Sequence, residues 1–429
     1  MLESMFLDQP VELALENYLK EYSQFNIEPE IINVENSLSR ILYEDILVKY
    51  DIPCADKALI DGYAVNSKDI SEAEVNNPVT LRIIGEANVE SPNTFVVSKN
   101  EAVRISKGAI MPENADSVIK PEDTLTETDK PSSKGNNHAG KKLKVFASVI
   151  TGFEVAKKAE DSKAGDVFIL KQRKIRPQDI GGILGLGYRQ IKVFKKPVVA
   201  IIPTGNELVS IDIEPDPTQI ISSNSYVLTG FIEQLGGIGK IANIVKDDLK
   251  QVKKAVLKAL EVSNMVIVSG GCSTGVKDYT LKAIQSIEGA KILSHSVAMK
   301  PGGHVLLAIV NGKPVIGLPG HPVSNLTSFH VFAKPVLRKI SGDPRSFWQI
   351  TKDTPSMQAT LTKNIKSPED KEDYVRVRLK ELGNGKISAY PFTGRSSFLS
   401  TLVKSHGIIK IPSDCTALYE GDVVEVMLF

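Results

Sequence analysis

Apolar positions recur at helical spacing just after Pro10, where Val11, Ala14, Leu15, Tyr18, Leu19 and Tyr22 share one stripe. The proline sits where a helix start tolerates its missing N–H. A second helix is predicted around Ser37 to Ile46 on Leu38, Ile41 and Leu42. From about residue 50 to 150 the period shortens to that of a strand, in runs such as VTLRIIG, TFVVS and AVRIS separated by turn residues, which predicts a small β-rich domain over 51–150. Its polar stretch 129–142 reads as a surface loop. Residues 151–195 return to mixed patterning and are expected to pack beside the N-terminal segment, 1–50 and 151–195 forming one discontinuous linker domain.

Strands and helices alternate clearly from residue 197. PVVAIIPTG is a strand ending in a turn, SNSYVLTGFIEQLGG a helix and IGKIANIV a strand. A helix then opens at Asp247, with Leu249, Val252, Val256 and Leu260 on one face. NMVIVSGG is a buried strand, DYTLKAIQSI a helix, and HVLLAIV with KPVIGLPG a pair of strands. The last helix, PVSNLTSFHVFAKPVLRKISG, is expected to kink at Pro335. This order predicts a three-layer α/β domain with an open, mostly parallel sheet over 196–342. Short strands such as YVRVRL, GIIKIP and DVVEVML predict a C-terminal β domain, of barrel type, over 343–429. The fold class is α/β plus β, in an elongated multidomain subunit.

A chain of 429 residues is too long for one ordinary domain, and its 42% hydrophobic content is enough to fill several cores. Lys plus Arg number 52 against 51 Asp plus Glu, so nothing in the charge points to nucleic acid or to an anionic membrane. Cys54, Cys272 and Cys415 are scattered and form no CxxC, as expected of reduced thiols in a cytoplasmic protein. The N-terminus lacks the basic start and apolar run of a signal peptide, and no window has the length of a membrane span.

Ligands of open α/β sheets bind outside the carboxyl ends of the strands. Four unusual turns fall at such ends: PTGNEL (203–208), KDDL (246–249), SGGCSTGVKDYT (269–280) and LPGHPVS (318–324). Gly270, Gly271 and Gly275 let backbone approach a phosphate closely, with a helix start behind them. Glu207, Asp247 and Asp278 suit a hard cation such as Mg2+, which bridges carboxylates and phosphates. Plainer readings stand beside these. Asp247 is a good helix N-cap, the glycines fit a tight turn, and Glu207 and Asp278 fit a solvated surface. Rival motifs fail. Val276 follows Gly275 where a P-loop needs lysine, GGILGLGYRQ lacks the third glycine of a dinucleotide fingerprint, and the six histidines show no zinc spacing.

These turns, with IPCADKALIDGYAV (52–65), RISKGAIMPENADSVIKPEDT (104–124), SNSYVL, AMKPG (298–302) and GLPGHPVSN (317–325), resemble in order and spacing the molybdopterin molybdenumtransferase family, which includes MoeA and the gephyrin E domain. The resemblance covers nearly the whole chain. It implies insertion of molybdate or tungstate into adenylylated molybdopterin with release of AMP, assisted by Mg2+. It also implies a homodimer in which Asp61 reaches the partner's cleft, fed by a molybdopterin adenylyltransferase. Glu207, Asp247 and Asp278 fall on the family's functional carboxylates and Lys300 on its cleft lysine. Pro319 and Pro322 fall on cleft prolines, and Ser269, Gly270, Gly271 and Ser324 on the ligand site. Lys107, Thr204, Gly205, Ser273, Gly275, Pro301 and Gly320 join the ligand-binding positions.

Several cations of the pattern are replaced. Ala156 stands for an arginine, and Ser296 and Gly303 for lysines, while Lys107 stands for a threonine; Lys107, Lys277 and His304 are the candidates to compensate. Two other readings are carried along: an ATP-dependent molybdopterin adenylyltransferase on the related α/β domain, and a non-catalytic cofactor-binding scaffold.

Overall fold

The continuous apolar runs 198–203 and 265–269 leave no polar face, and in the computed structural model both become central strands of a sheet covered on two sides. The structure describes residues 8–22, 28–90, 94–127, 139–272, 278–343, 355–383, 385–392 and 394–428. Two compact units emerge, one of residues 1–44, 172–176 and 190–429, the other of 45–171 and 177–189. The expected linker stretches are thus divided between them.

In the smaller unit, strands β1 (Gly62–Val65), β2 (Val79–Ala87), β3 (Glu101–Ile105), β4 (Ser117–Ile119), β5 (Thr124–Glu127) and β6 (Lys142–Val145) form one sheet in the order β4-β1-β3-β2-β6-β5. Alternation along β2 buries Leu81, Ile83 and Ala87, as the period of two predicts. Gly62 opens β1 where no side chain fits, since a Cβ there would lie 2.2 Å from the Ile119 carbonyl oxygen. Helix α2 (Pro177–Gly185) belongs to the same unit, and a Cβ on its Gly182 would meet the Phe168 ring at 2.7 Å.

The larger unit holds the six-stranded α/β sheet. Its strands are β7 (Val198–Pro203), β8 (Ile238–Ile241), β9 (Met265–Ser269), β10 (Lys291–Ser294), β11 (Leu306–Val310) and β12 (Lys313–Leu318), in the order β8-β7-β9-β12-β11-β10. The first four are parallel, and β11 runs antiparallel to both of its neighbours. Side chains alternate between two cores. Val199 and Ile201 face a layer containing helices α1 (Val11–Glu21) and α3 (Asn224–Gln234), while Ala200 and Ile202 face α4 (Leu249–Val262) and α5 (Tyr279–Gln285). The predicted stripe of α1 is buried at Val11, Ala14, Leu15, Tyr18 and Tyr22, and the Tyr18 hydroxyl donates to the Ala308 carbonyl at 3.0 Å.

The short strand Met299–Lys300, between β10 and β11, pairs with Glu372–Asp373 at the edge of a β-barrel. Strands β13 (Ser356–Leu361), β14 (Glu372–Glu381), β15 (Ile387–Pro391), β16 (Gly407–Ile411) and β17 (Val423–Leu428) close on themselves through the β14–β16 pairing. Among the described residues no helix is long and apolar enough to cross a membrane.

Two elements differ from expectation. No α-helix forms over 37–46: Ser39 takes φ +63°, and the segment spends its backbone on long-range partners, with Leu42 N donating to Arg173 O and Phe194 N to Ile41 O. The last helix is interrupted before Pro335, running as α6 (Pro322–Ser328), a π-turn over Phe329–Ala333 and α7 (Lys334–Ile340). Pro335 has no N–H to continue the ladder, so the wider turn precedes it.

His330 in that π-turn packs edge-on against Phe231 at 4.9 Å and Phe329 at 5.8 Å. Burial, reinforced by the charge of Lys334, holds its imidazole down at about 3 against the ordinary 6.5. An unfolded chain binds this proton near pH 6.5 and the folded one near 3, so the contribution is complete above 6.5 and is lost as pH falls through that window. His330→Phe is therefore expected to reduce the fall in urea midpoint between pH 7 and pH 4, measured by tryptophan fluorescence or circular dichroism.

Candidate functional site

A cleft of about 550 Å³ opens at the carboxyl ends of the parallel strands. Residues that continue β7 form its first edge. Thr204 N donates to Ser269 O at 2.9 Å and Gly205 N to Val245 O at 3.1 Å, so the PTGNEL turn is pinned to the end of β9 and to the segment that follows β8. Glu207 folds back over Gly205, where a Cβ would lie 2.8 Å from its carboxylate. The next turn brings Asp247 alongside, its amide donating to Asn206 Oδ1 at 3.2 Å while Lys246 Nζ donates to Asn206 O at 3.1 Å. Asp248 caps α4, accepting from Gln251 N at 2.9 Å. Asp248, not Asp247, is thus the cap, and Asp247 lines the cleft with Glu207.

The floor is the glycine turn after β9. Gly270 and Gly271 take φ +106° and +67°, and a Cβ at either would lie 3.0 Å from Thr204 Oγ1. Thr204 is only 3% exposed, and among the described residues its hydroxyl finds no hydrogen-bond partner. A buried polar atom left unsatisfied at a cleft is a place made for a ligand. Buried Asn325 of α6 donates to Ser269 Oγ at 3.0 Å and Pro319 O at 2.9 Å, tying the glycine turn to the LPGHP turn. Asn224 of α3 donates to Gly320 O at 2.8 Å.

Of the expected ligand residues, Thr204, Gly205, Ser269, Gly270, Gly271, Pro319, Gly320, Pro322 and Ser324 all line this cleft. Ser273, Gly275 and Lys277 lie outside the described residues, as does most of the polar loop 129–142. Asp278 is 3% exposed and does not line the cleft: one carboxylate oxygen caps α5 and the other meets His295. Among the described residues no three Asp, Glu, His or Cys side chains gather as a metal-binding group. Lys300 stands exposed opposite Asp373 of β14 in the barrel, with Pro301 beside it; neither lines the cleft. Burial raises the Asp373 carboxyl above its ordinary value, against the opposing pull of Lys300 and Arg376. In the other unit, Asp61 accepts from the Lys107 amide at 2.8 Å, which joins the DGYAV and KGA segments.

Asn206, Asn224 and Asn325 lie within the segments PTGNEL, SNSYVL and GLPGHPVSN but were not singled out, because their partners are distant in the chain. Nor was the barrel's share of the wall, where Ser397 and Leu399 line the cleft and Ser396 Oγ lies 3.2 Å from His321 Nδ1. Of the expected compensating cations, His304 lines the cleft.

Three family models match in order: the MoeA N-terminal region (domains I and II) over residues 9–187, a probable molybdopterin binding domain over 200–339, and the MoeA C-terminal region (domain IV) over 358–429. The molybdopterin molybdenumtransferase of Staphylococcus aureus is 30% identical over 425 residues, 98% of this chain and 95% of that protein. That of Staphylococcus epidermidis is 28% identical over 427 residues, 99% of this chain and 97% of the other. The crystal structure of the molybdopterin biosynthesis MoeA protein from Pyrococcus horikosii superposes with a TM-score of 0.83 at 31% identity, covering 98% of this chain and 99% of that one. The chain belongs to the molybdopterin molybdenumtransferase (MoeA) family.

Proposed function

We propose that this chain places molybdate, or tungstate, on the dithiolene of adenylylated molybdopterin and releases AMP. The observation that carries the reading is the buried Thr204 hydroxyl beside the Gly270–Gly271 turn, which has no partner among the described residues and to which a phosphate oxygen would be an acceptor. Absence of side chains at 270 and 271 lets a phosphate come close to the backbone. Ser269, whose oxygen accepts from Asn325, keeps its own hydroxyl proton to donate.

Glu207 and Asp247, on adjacent turns of one cleft, fit Mg2+, which needs only one or two carboxylates when substrate phosphates and water complete its shell. Bound there, the ion would supply charge neutralisation for the phosphoanhydride between AMP and the pterin. No nucleophilic side chain is required, because positioning and charge carry such a reaction. Lys300 and Pro301, with Lys107 and Asp61 from a partner subunit, are proposed to complete the site. The substrate comes from a molybdopterin adenylyltransferase, in the cytoplasm.

A homodimer is supported by the apolar side chains that the smaller unit leaves exposed. Leu47 (43%) and Val167 (50%) are exposed opposite one another on the paired segments 46–47 and 167–169, and half-exposed Phe168 (37%) lies against Gly182 of helix α2, which also exposes Leu184 (46%). Light scattering is expected to give twice the chain mass for the native protein and less for Phe168→Asp; a native monomer would remove the shared-site part of the proposal.

Purified chain supplied with adenylylated molybdopterin, Mg2+ and molybdate should release AMP, and no release from a folded dimer would end the reading. Thr204→Val separates binding from stability. Removing a hydroxyl with no partner among the described residues should leave the melting temperature unchanged or higher, while losing a hydrogen bond to a charged phosphate should weaken AMP binding by about tenfold or more. Calorimetry and a thermal melt measure the two.

A further inference from the structure

Behind the cleft lies a buried acid–imidazole pair with no part in the chemistry above. Asp278 is 3% and His295 4% exposed, and His295 Nε2 donates to Asp278 Oδ2 at 2.7 Å. The other oxygen, Oδ1, accepts from Leu281 N at 2.8 Å and so caps α5. The first turn of α5 in turn backs the glycine turn. Thr280 Oγ1 donates to Gly270 O at 3.3 Å, and a Cβ on Gly271 would lie 2.5 Å from that same Oγ1. His295 follows β10, an edge strand of the sheet, in a segment that is itself held: Ser294 Oγ donates to Ser296 O at 3.1 Å and Ser296 Oγ donates to Asp8. A line of hydrogen bonds therefore runs from the sheet edge through His295 and Asp278 to the start of α5 and on to Gly270.

We propose that His295 is a positioning residue for the cleft, fixing Asp278 as a strut behind Gly270 and Gly271. The inference rests on the reading of the cleft as a nucleotide-phosphate site. Its physical basis is that a buried carboxylate needs its oxygens satisfied, and here they accept from Leu281 N and His295, neither of which lines the cleft. A zinc-like spacing was never to be expected of this histidine, since its partner is an acid and not a metal.

Two variants of the full-length protein test the strut. His295→Gln keeps a side-chain N–H donor, and His295→Leu keeps similar bulk without one. The Leu variant is expected to lower turnover in AMP release by about ten- to a hundredfold, the usual cost of removing a residue that orients a functional group. Its half-saturating Mg2+ should stay at the native value, and the Gln variant should keep most of the turnover. Hydrogen exchange of the amides over 278–285 should quicken in the Leu variant and stay native in the Gln variant. Should the Leu variant not fold, native exchange and turnover in the Gln variant support the strut, and their loss overturns it. Native turnover and exchange in a folded Leu variant also overturn it, as does an Asp278→Asn protein whose Mg2+ requirement rises as steeply as that of Glu207→Gln. If the native protein releases no AMP, the cleft reading falls, and the exchange comparison still decides whether His295 holds α5.

Discussion

Gly270→Ala is expected to abolish AMP release from a protein that still folds. The backbone there takes φ +106°, a conformation that L side chains rarely adopt and that costs on the order of 1–3 kcal/mol to impose. Space makes the matter worse. The added Cβ would lie 2.3 Å from the Thr204 carbonyl oxygen and 3.0 Å from its hydroxyl. That carbonyl belongs to backbone that cannot yield easily, since the Thr204 and Gly205 amides are bonded to Ser269 O and Val245 O on either side. The glycine turn must shift instead, and it carries the phosphate end of the cleft with it. A displacement of about 1 Å at a reacting group costs on the order of a hundredfold in rate, and here the binding hydroxyl moves too. Gly230 in α3 is the control: its Cβ would meet nothing within 4 Å, so Gly230→Ala should keep activity and gain up to about 1 kcal/mol of stability. Chromatographic assay of AMP and a thermal melt of both variants measure the contrast. Native turnover in Gly270→Ala would mean that the turn is not the phosphate site.

How much of this was legible beforehand depends on how local each signal is. Strands β7 and β9 showed as unbroken apolar runs because both of their faces are buried, and α1 showed because one stripe of it packs on the sheet. The stretch 37–46 misled for the opposite reason. Leu38, Ile41 and Leu42 fall at helical spacing, yet their segment is shaped by Arg173, Ile175 and Phe194, more than a hundred residues away. Two adjacent acids, Asp247 and Asp248, fit a helix start equally well, and no local pattern decides which takes the cap. In the site itself, glycines and carboxylates at strand ends could be read because backbone geometry demands them there. Asn325 and His295 could not, for each acts on a group that only the folded sheet brings near. Lys300 was assigned to the site by resemblance alone, and its short strand pairs with β14 of the barrel. The match to three successive regions also closes the single-domain adenylyltransferase reading, which has no use for the flanking β domains.

Those neighbouring acids give the second large effect. Asp247→Asn is expected to lower AMP release by about a hundredfold or more with little change in stability, and Asp248→Ala to do the reverse. The two carboxylates are one residue apart but face different tasks. Asp248 takes the Gln251 amide at 2.9 Å, and losing such a cap costs about 1 kcal/mol. Asp247 lines the cleft beside Glu207, where its negative charge is what a divalent cation requires. Asparagine keeps the shape and removes the charge, so the deficit should appear as a higher Mg2+ requirement as well as a lower maximum. Glu207→Gln should behave in the same way. Removing both charges should cost less than the sum of the separate losses, because once one is gone the cation is no longer held for the other to act on. Asn206→Ala should fall between, since its side chain receives the Asp247 amide and its carbonyl the Lys246 ammonium, fixing where the carboxylate stands without touching the ion. Equal Mg2+ dependence in native protein and Asp247→Asn would show that the charge serves something other than the cation.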